Sequence, residues 1–136
     1  MRKQESDLQV SCITWFRLQY PQYKMLLFAI PNGGLRNIRT AMRLKKEGTL
    51  AGVPDLFLSI PRNDWHGFYI EMKAGKNKLT EEQEKFFTAS QKHNYKCQVV
   101  RSLDQFMREV SFYLNPELWA FLAQDVDRAV SASTRR

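Results

Sequence analysis

The chain has 136 residues, of which 43% are hydrophobic and 26% charged, and 21 lysines and arginines outweigh 14 acids to give a formal charge of +7. This balance is typical of one globular domain and excludes a wholly disordered chain. No apolar run approaches the roughly 20 residues that a bilayer-spanning helix needs, which argues against a membrane protein.

The start of the chain and its cysteines predict where the protein works. Residues 1–7 turn acidic and polar where a secretory signal would turn apolar. Two cysteines, Cys12 and Cys97, are too few for a disulfide framework, and we expect both to be small core residues. These features predict a cytoplasmic protein, and a small stand-alone domain would suit a phage or a mobile element.

Positive charge is concentrated in the middle of the chain. One cluster comprises Arg36, Arg39, Arg43, Lys45 and Lys46, and a second comprises Lys73, Lys76 and Lys78. Such a surface predicts a polyanionic partner, above all nucleic acid. For the first cluster, a solvated face without a partner is the alternative.

The first half of the chain predicts a helix, a strand and a second helix. Apolar residues recur at helical spacing over residues 5–20, and a proline ends that helix. The apolar run at 25–30 predicts a short strand, and Pro-Asn-Gly-Gly at 31–34 marks a turn with positive φ angles. Residues 36–47 predict a strongly basic helix, with Gly48 as its C-terminal cap.

The second half predicts two strands and then a helix, a strand and two helices. These are the strands 54–60 and 67–73, a helix from Thr80, a strand at 95–101, a helix at 102–114 and a last helix opened by Pro116. Capping boxes mark the first two of these helices. Because strands and helices alternate, the sequence predicts a mixed sheet with helices on both faces.

One strand carries a chemically unusual pair. Side chains alternate along a strand, so Glu71 and Lys73 share a face. If the strands 54–60 and 67–73 form an antiparallel hairpin, Asp55 falls beside Glu71. Adjacent carboxylates raise each other's pKa unless a cation lies between them, and Mg²⁺ prefers such oxygen ligands. The sequence therefore predicts a metal site, with an ion-paired sheet edge bridged by Lys73 as the alternative.

Three motifs resemble the PD-(D/E)xK nuclease superfamily and, more specifically, its virus-type replication-repair nuclease (VRR-NUC) domain. They are Gly-Val-Pro-Asp at 52–55, Tyr-Ile-Glu-Met-Lys at 69–73 and Leu-Thr-Glu-Glu-Gln at 79–83. The resemblance runs from about residue 4 to 108. It implies an α/β fold with a restriction-endonuclease-like core, in which helices flank a mixed central sheet. We expect a nuclease domain over 1–114 and a C-terminal helix with a frayed tail over 115–136.

The resemblance also implies roles for the residues of the pair. Asp55 and Glu71 would be the main ligands of Mg²⁺ or Mn²⁺, and the backbone carbonyl of Met72 would complete the set. Lys73 would orient or deprotonate the attacking water and steady the charge that develops on the phosphate. No organic cofactor is expected.

Two further residues have an ordinary structural alternative. Gln83 would support the catalytic site, but it is also the third position of a capping box. Glu5 would approach from the first helix to bind or orient a second metal or water, but an acid in a first helical turn is favoured by the helix dipole alone.

A third set of residues is predicted to contact DNA. It comprises Asn32, Gly33, Gly34, Arg36, Arg39, Arg43, Lys76 and Lys78. The Asn-Gly-Gly segment offers backbone N–H groups to a phosphate, although it is equally suited to be a plain turn.

The function that follows is a metal-dependent endonuclease that hydrolyses phosphodiester bonds in DNA. The chain has no room for a separate domain that reads sequence, so we expect selection of DNA structure. Stand-alone relatives resemble homodimeric Holliday junction resolvases, and the last helix is a candidate dimer contact. A flap or restriction-type endonuclease is one alternative, and a DNA-binding module without catalysis is another.

Overall fold

A computed structural model describes residues 2–31 and 37–134 of the chain. Its elements are α1 (Arg2–Gln19), a 3₁₀ turn (Pro21–Tyr23), β1 (Leu27–Ala29), α2 (Ile38–Lys46), β2 (Leu56–Leu58), β3 (Gly67–Met72), α3 (Glu81–Gln91), β4 (Tyr95–Val100), α4 (Leu103–Leu114) and α5 (Glu117–Thr134). This is the predicted order of helices and strands.

Some element boundaries differ from the prediction for local reasons. α2 begins at Ile38 because the side chain of Asn37 accepts a hydrogen bond from the Thr40 N–H at 2.7 Å and so caps the helix. β2 is shorter than the predicted 54–60. One hydrogen bond continues its pairing with the β1 segment at each end. The Ile30 N–H donates to the Asp55 carbonyl, and the Ser59 N–H donates to the Leu26 carbonyl.

The four strands form one mixed sheet in the order β1-β2-β3-β4. β2 runs antiparallel to both β1 and β3, whereas β4 runs parallel to β3. Leu56 lies opposite Ile70 and Phe57 lies opposite Tyr69, which is the predicted hairpin register. Continued by one residue, this register places Asp55 opposite Glu71.

Helices cover both faces of the sheet, which confirms the predicted fold class. On one face, strand residues such as Phe68 and Ile70 pack with Phe16 of α1 and Phe106 of α4, and all four side chains are fully buried. The other face is aromatic. There the Tyr69 ring packs against Phe57 at a tilt of 30°, with ring centroids 4.4 Å apart, and meets Phe86 of α3 edge-on at 5.0 Å.

Both cysteines are buried and free. Burial raises the pKa of the Cys12 thiol to about 12 and that of Cys97 to about 11. Their predicted place in the core is confirmed for Cys12, which lies in the main hydrophobic cluster, and Cys97 is buried in β4.

The last helix, α5, follows α4 after a single turn at Asn115. Several large apolar side chains on it are exposed, among them Phe121 at 63% and Leu122 at 47%. The division into 1–114 and 115–136 and the predicted dimer contact both rest on this helix and remain predictions. In the part of the chain that the structure describes, no helix has the length and apolar character needed to cross a bilayer.

A glycine fixes the chain just before the first carboxylate. Gly52 has φ +91, and a Cβ there would lie 2.6 Å from the backbone C and O atoms of Glu82 at the start of α3. Gly48, at the end of α2, has a similar φ of +104, but a Cβ at that position would meet no atom within 4 Å.

We expect Gly52→Ala to destabilise the protein by more than about 3 kcal/mol, because backbone atoms must move and the φ angle is strained as well. Gly48→Ala serves as the matched control and should cost only about 1–2 kcal/mol, from φ alone. Urea unfolding of both variants measures the difference. Equal losses of unfolding free energy in the two variants would show that the close approach of Gly52 to Glu82 does not matter for stability.

Candidate active site

Asp55 is held across the sheet by hydrogen bonds at both ends. Its backbone carbonyl accepts from the Ile30 N–H at 2.8 Å, and its side-chain Oδ2 accepts from the Met72 N–H at 2.8 Å. The carboxylate is half-buried. It is thereby fixed beside the end of β3, where Glu71 lies.

Glu71 is buried, with only 4% of its surface exposed. Its Oε1 accepts a hydrogen bond from Gln83 Nε2 at 2.8 Å and lies 3.7 Å from Lys73 Nζ. Its Oε2 is also buried but has no hydrogen-bond partner in the described structure. A buried carboxylate oxygen without a partner is costly, so this atom is suited to bind an additional group.

The two carboxylates destabilise each other's charged forms. Burial raises the pKa of Glu71 to about 8, and the negative charge of Asp55 adds to the effect while Lys73 opposes it. Burial also raises the pKa of Asp55, with a further contribution from Glu5, whereas the Met72 N–H and Lys73 lower it. A cation between the carboxylates would relieve this repulsion, so the donor set fits a hard divalent ion.

Lys73 is the second buried charged side chain of the described residues, at 8% exposure. Its backbone N–H donates to the Val100 carbonyl at 3.0 Å and so continues the parallel pairing of β3 with β4. The backbone of Lys73 is therefore fixed by the sheet, and its ammonium group lies next to Glu71. Met72 contacts Asp55 through its N–H, and the ligand role of its carbonyl remains a prediction.

Gln83 combines the two roles that the sequence left as alternatives. Its Oε1 accepts from the Thr80 N–H at 2.9 Å, and its own N–H donates to Thr80 Oγ1 at 3.2 Å, which completes the capping box of α3. The Nε2 of the same amide donates to Glu71. Because the capping box engages the amide oxygen, the nitrogen is the atom left to face the carboxylate.

Glu5 lies in the first turn of α1, and its Oε1 accepts a hydrogen bond from the Ala74 N–H at 3.1 Å. This hydrogen bond connects α1 to the residue that follows Lys73. Over residues 2–31 and 37–134, no group of three or more His, Cys, Asp and Glu side chains is arranged to hold a metal ion. The structure therefore shows Glu5 as a backbone acceptor, and its binding of a second metal or water remains a prediction.

These residues line one cleft of about 920 Å³. The lining residues are Glu5, Ser6, Gln9, Ala29, Ile30, Pro31, Ala51, Gly52, Val53, Asp55, Glu71, Lys73, Thr80 and Gln83. All the predicted catalytic side chains are thus brought together, although they come from different parts of the fold, around α1, β2, β3 and α3.

The residues predicted to contact DNA are not brought together at the cleft in the part of the chain that the structure describes. Asn32, Gly33, Gly34 and Arg36 lie outside the described residues. Arg39 and Arg43 are exposed on α2, and Lys76 and Lys78 lie in the loop between β3 and α3. None of these four lines the cleft.

The sequence interpretation gave no role to Gln9, which lines the cleft, or to Arg101, which does not line the cleft but contacts the loop after Lys73. Gln9 follows Glu5 by one helical turn, so the spacing alone would have placed it on the same side of α1. Arg101 was also missed, and its guanidinium donates to the Gly75 carbonyl at 2.9 Å in the loop after Lys73. No local pattern indicates that contact, because it joins distant parts of the chain.

Thr80 is expected to stabilise the site through the cap that orients Gln83. Thr80→Ala should lower the free energy of unfolding by about 1 kcal/mol, whereas Thr80→Ser should retain most of it because the hydroxyl remains. Thr88→Ala, at an exposed position within α3, is the control and should be neutral or slightly stabilising, since alanine is a better helix former than threonine. Urea unfolding at neutral pH is the measurement, and a Thr80→Ala protein as stable as the parent would contradict this role.

Both the sequence and the fold of the chain are similar to one known family. A family model described as the VRR-NUC domain matches residues 1–104. A solved structure described as a "VRR_NUC domain protein" is similar to this chain with a TM-score of 0.70 and 25% sequence identity, covering 80% of this chain and 86% of that one. No curated protein matches the chain at a significant level.

Proposed function

The chain belongs to the VRR-NUC domain family, a family of nuclease-type domains, and we propose that it is a metal-dependent endonuclease that cuts branched DNA. The observation that carries this proposal is the buried oxygen Glu71 Oε2, which has no partner in the described structure and lies in a cleft with a second carboxylate and a buried lysine. Such a cluster costs folding stability, and groups with perturbed pKa values of this kind are concentrated at functional sites.

A divalent cation is part of the proposal. Asp55 and Glu71 would hold Mg²⁺ or Mn²⁺, with the Met72 carbonyl as a further oxygen donor. When bound, the ion supplies positive charge to the oxygens that attack and leave phosphorus. The fit rests on the mutual repulsion of the two carboxylates, which contributes to the raised pKa of Glu71.

The protein side chains have distinct tasks in the proposed reaction. The Lys73 ammonium orients the attacking water and stabilises the charge that develops on the phosphate oxygens. Gln83 holds Glu71 in one orientation, and Glu5 holds the backbone next to Lys73. Water attacks phosphorus in line and loses a proton, the bond to the 3′ oxygen breaks, and that oxygen takes up a proton, so the products carry a 5′-phosphate and a 3′-hydroxyl.

The substrate class is the finer part of the proposal. The exposed basic residues offer contacts to phosphates, which position DNA but do not specify its sequence. We therefore favour selection by structure, with a four-way junction as the substrate of a cytoplasmic homodimer. A twofold dimer supplies two equivalent sites for two symmetric cuts, and the exposed apolar side chains of α5 are the proposed contact.

Incision mapping tests this function. The purified protein is incubated with labelled four-way junction, flap and plain duplex in Mg²⁺, Mn²⁺ or EDTA, and its molar mass is measured by light scattering. We expect symmetric cuts in the junction that require metal and a dimer. Cuts confined to flaps or duplex would indicate a flap or restriction-type enzyme, and salt-sensitive binding without cleavage in either metal would indicate a binding module.

A further inference from the structure

Both ends of helix α2 are closed by local capping hydrogen bonds, and the helix itself is not buried. The Asn37 side chain caps its start, and at its end the Thr49 N–H donates to the Leu44 carbonyl at 2.9 Å across Gly48, which has a positive φ. No described residue of the helix is buried. Its exposed apolar side chains are therefore not needed to attach it to the core.

The side of α2 that faces away from the protein carries an apolar pair. Ile38 is 79% exposed and Met42 is 58% exposed, and residues four apart lie on the same side of a helix. Thr40 and Leu44, the partly covered residues, lie on the opposite side. We call Ile38 and Met42 the apolar pair of α2.

Cations surround this pair. Arg39, Arg43, Lys45 and Lys46 are all exposed, and the acid that follows them, Glu47, lies 3.7 Å from Arg43. An exposed apolar pair within a basic surface matches a partner that is both anionic and partly apolar. A single exposed apolar residue needs no such explanation, whereas an exposed apolar group rimmed by charged residues is typical of an interaction site.

Both ends of the α2 segment lie at the cleft. Pro31, before the segment, and Ala51, after it, are lining residues of the cleft that holds Asp55 and Glu71. Ile30 is also bonded to the backbone of Asp55 at 2.8 Å. A DNA strand with a phosphate in the cleft would therefore pass close to Pro31 and Ala51, between which α2 lies in the chain.

We propose that α2 recognises unstacked bases at a DNA branch point, with its cations on the flanking phosphates and the apolar pair against an exposed base face. This rests on the proposed nuclease function and gives its site a reason to prefer branched DNA. In a plain duplex the base faces are covered by their neighbours, and separating them costs a few kcal/mol. At a branch point that cost is already reduced, so apolar contact favours the branch.

Binding measurements in EDTA test this without cleavage. Fluorescence anisotropy compares a four-way junction with a duplex of equal length, and 2-aminopurine at the branch reports unstacking. The double variant Ile38→Ser, Met42→Ser keeps every charge, whereas Arg39→Gln, Lys46→Gln keeps the apolar pair. Leu18→Ser, Met25→Ser is the matched control, since these apolar residues are exposed elsewhere at 79% and 88%.

We expect the Ile38→Ser, Met42→Ser variant to bind the junction about tenfold more weakly, with duplex binding within about twofold of the parent. The 2-aminopurine fluorescence of the junction should rise when the parent binds but not when this variant binds. The charge variant should weaken binding to both DNAs and lower the dependence of affinity on salt. The control should match the parent. All three exchanges affect exposed residues, so circular dichroism should show unchanged folding.

Three results would overturn the inference, and they are distinguishable. If the parent cuts junctions but the apolar variant binds them normally, the inference is wrong and the nuclease function stands. If the apolar variant instead has half the molar mass of the parent, the apolar pair contacts a second copy of the chain. If the parent neither binds nor cuts any DNA, the proposed function itself fails.

Discussion

Replacing Lys73 by methionine is expected to lower cleavage of every DNA substrate by about 10²–10⁴-fold while DNA binding stays near the parent level. Lys73 is buried, and its ammonium lies 3.7 Å from Glu71 Oε1 at the cleft. Methionine keeps most of the buried stem but removes the charge, so the loss reports the electrostatic role rather than a cavity. Single-turnover incision with saturating metal is the measurement.

The control for this experiment is Lys78→Met. Lys78 belongs to the same basic cluster but is exposed, and it does not line the cleft. Its loss should weaken DNA binding slightly and reduce the salt dependence, with the rate of incision of bound DNA unchanged. A Lys73→Met protein that cuts at the parent rate would remove Lys73 from the chemistry, and the ion-paired sheet edge would become the better interpretation of the cluster.

Replacing Glu71 by glutamine is expected to stabilise the metal-free protein at pH 8 and to abolish its stabilisation by metal. The pKa of Glu71 is about 8 in the folded chain against an ordinary value of 4.5, so the folded state holds a proton that the unfolded state releases. Raising the pH through this window therefore favours unfolding. Burial is the largest cause of the raised pKa, the charges of Asp55 and Glu5 add to it, and Lys73 opposes it.

Thermal unfolding between pH 4.5 and 9 in EDTA checks the sign. The parent should lose stability as the pH rises from about 4.5 to about 8, and the glutamine variant should lose less and melt at least about 5 °C higher at pH 8. Mg²⁺ or Mn²⁺ should raise the melting temperature of the parent at pH 8 but not that of the variant. Glu84→Gln, at an exposed acid, is the control, and parallel profiles for parent and Glu71→Gln would refute the assignment.

The pairing of the two acids could be predicted because it depends on local rules. Two apolar strands joined by a short loop form a hairpin, and strand alternation then fixes which side chains share a face. The observed register of Leu56 with Ile70 confirms that prediction. The capping box at Thr80 is local in the same sense, and it is also confirmed.

The remaining features depend on contacts between distant segments. Glu5 reaches Ala74 across 69 positions, and Arg101 reaches Gly75 across 26. No sequence period indicates which helix end meets which loop. The double role of Gln83 was missed for another reason, because a capping box and a site contact were treated as alternatives although one amide has enough hydrogen-bonding atoms for both.

The buried cysteines have a practical consequence for studies of this protein in solution. Thiol reagents attack the thiolate, and with pKa values of about 12 and 11 Cys12 and Cys97 are almost entirely protonated at neutral pH as well as covered. We therefore expect the folded chain to react only slowly with alkylating dyes and with oligonucleotides that carry a thiol. A single cysteine introduced at Met42 can therefore be labelled or cross-linked to a modified base without removing the native thiols.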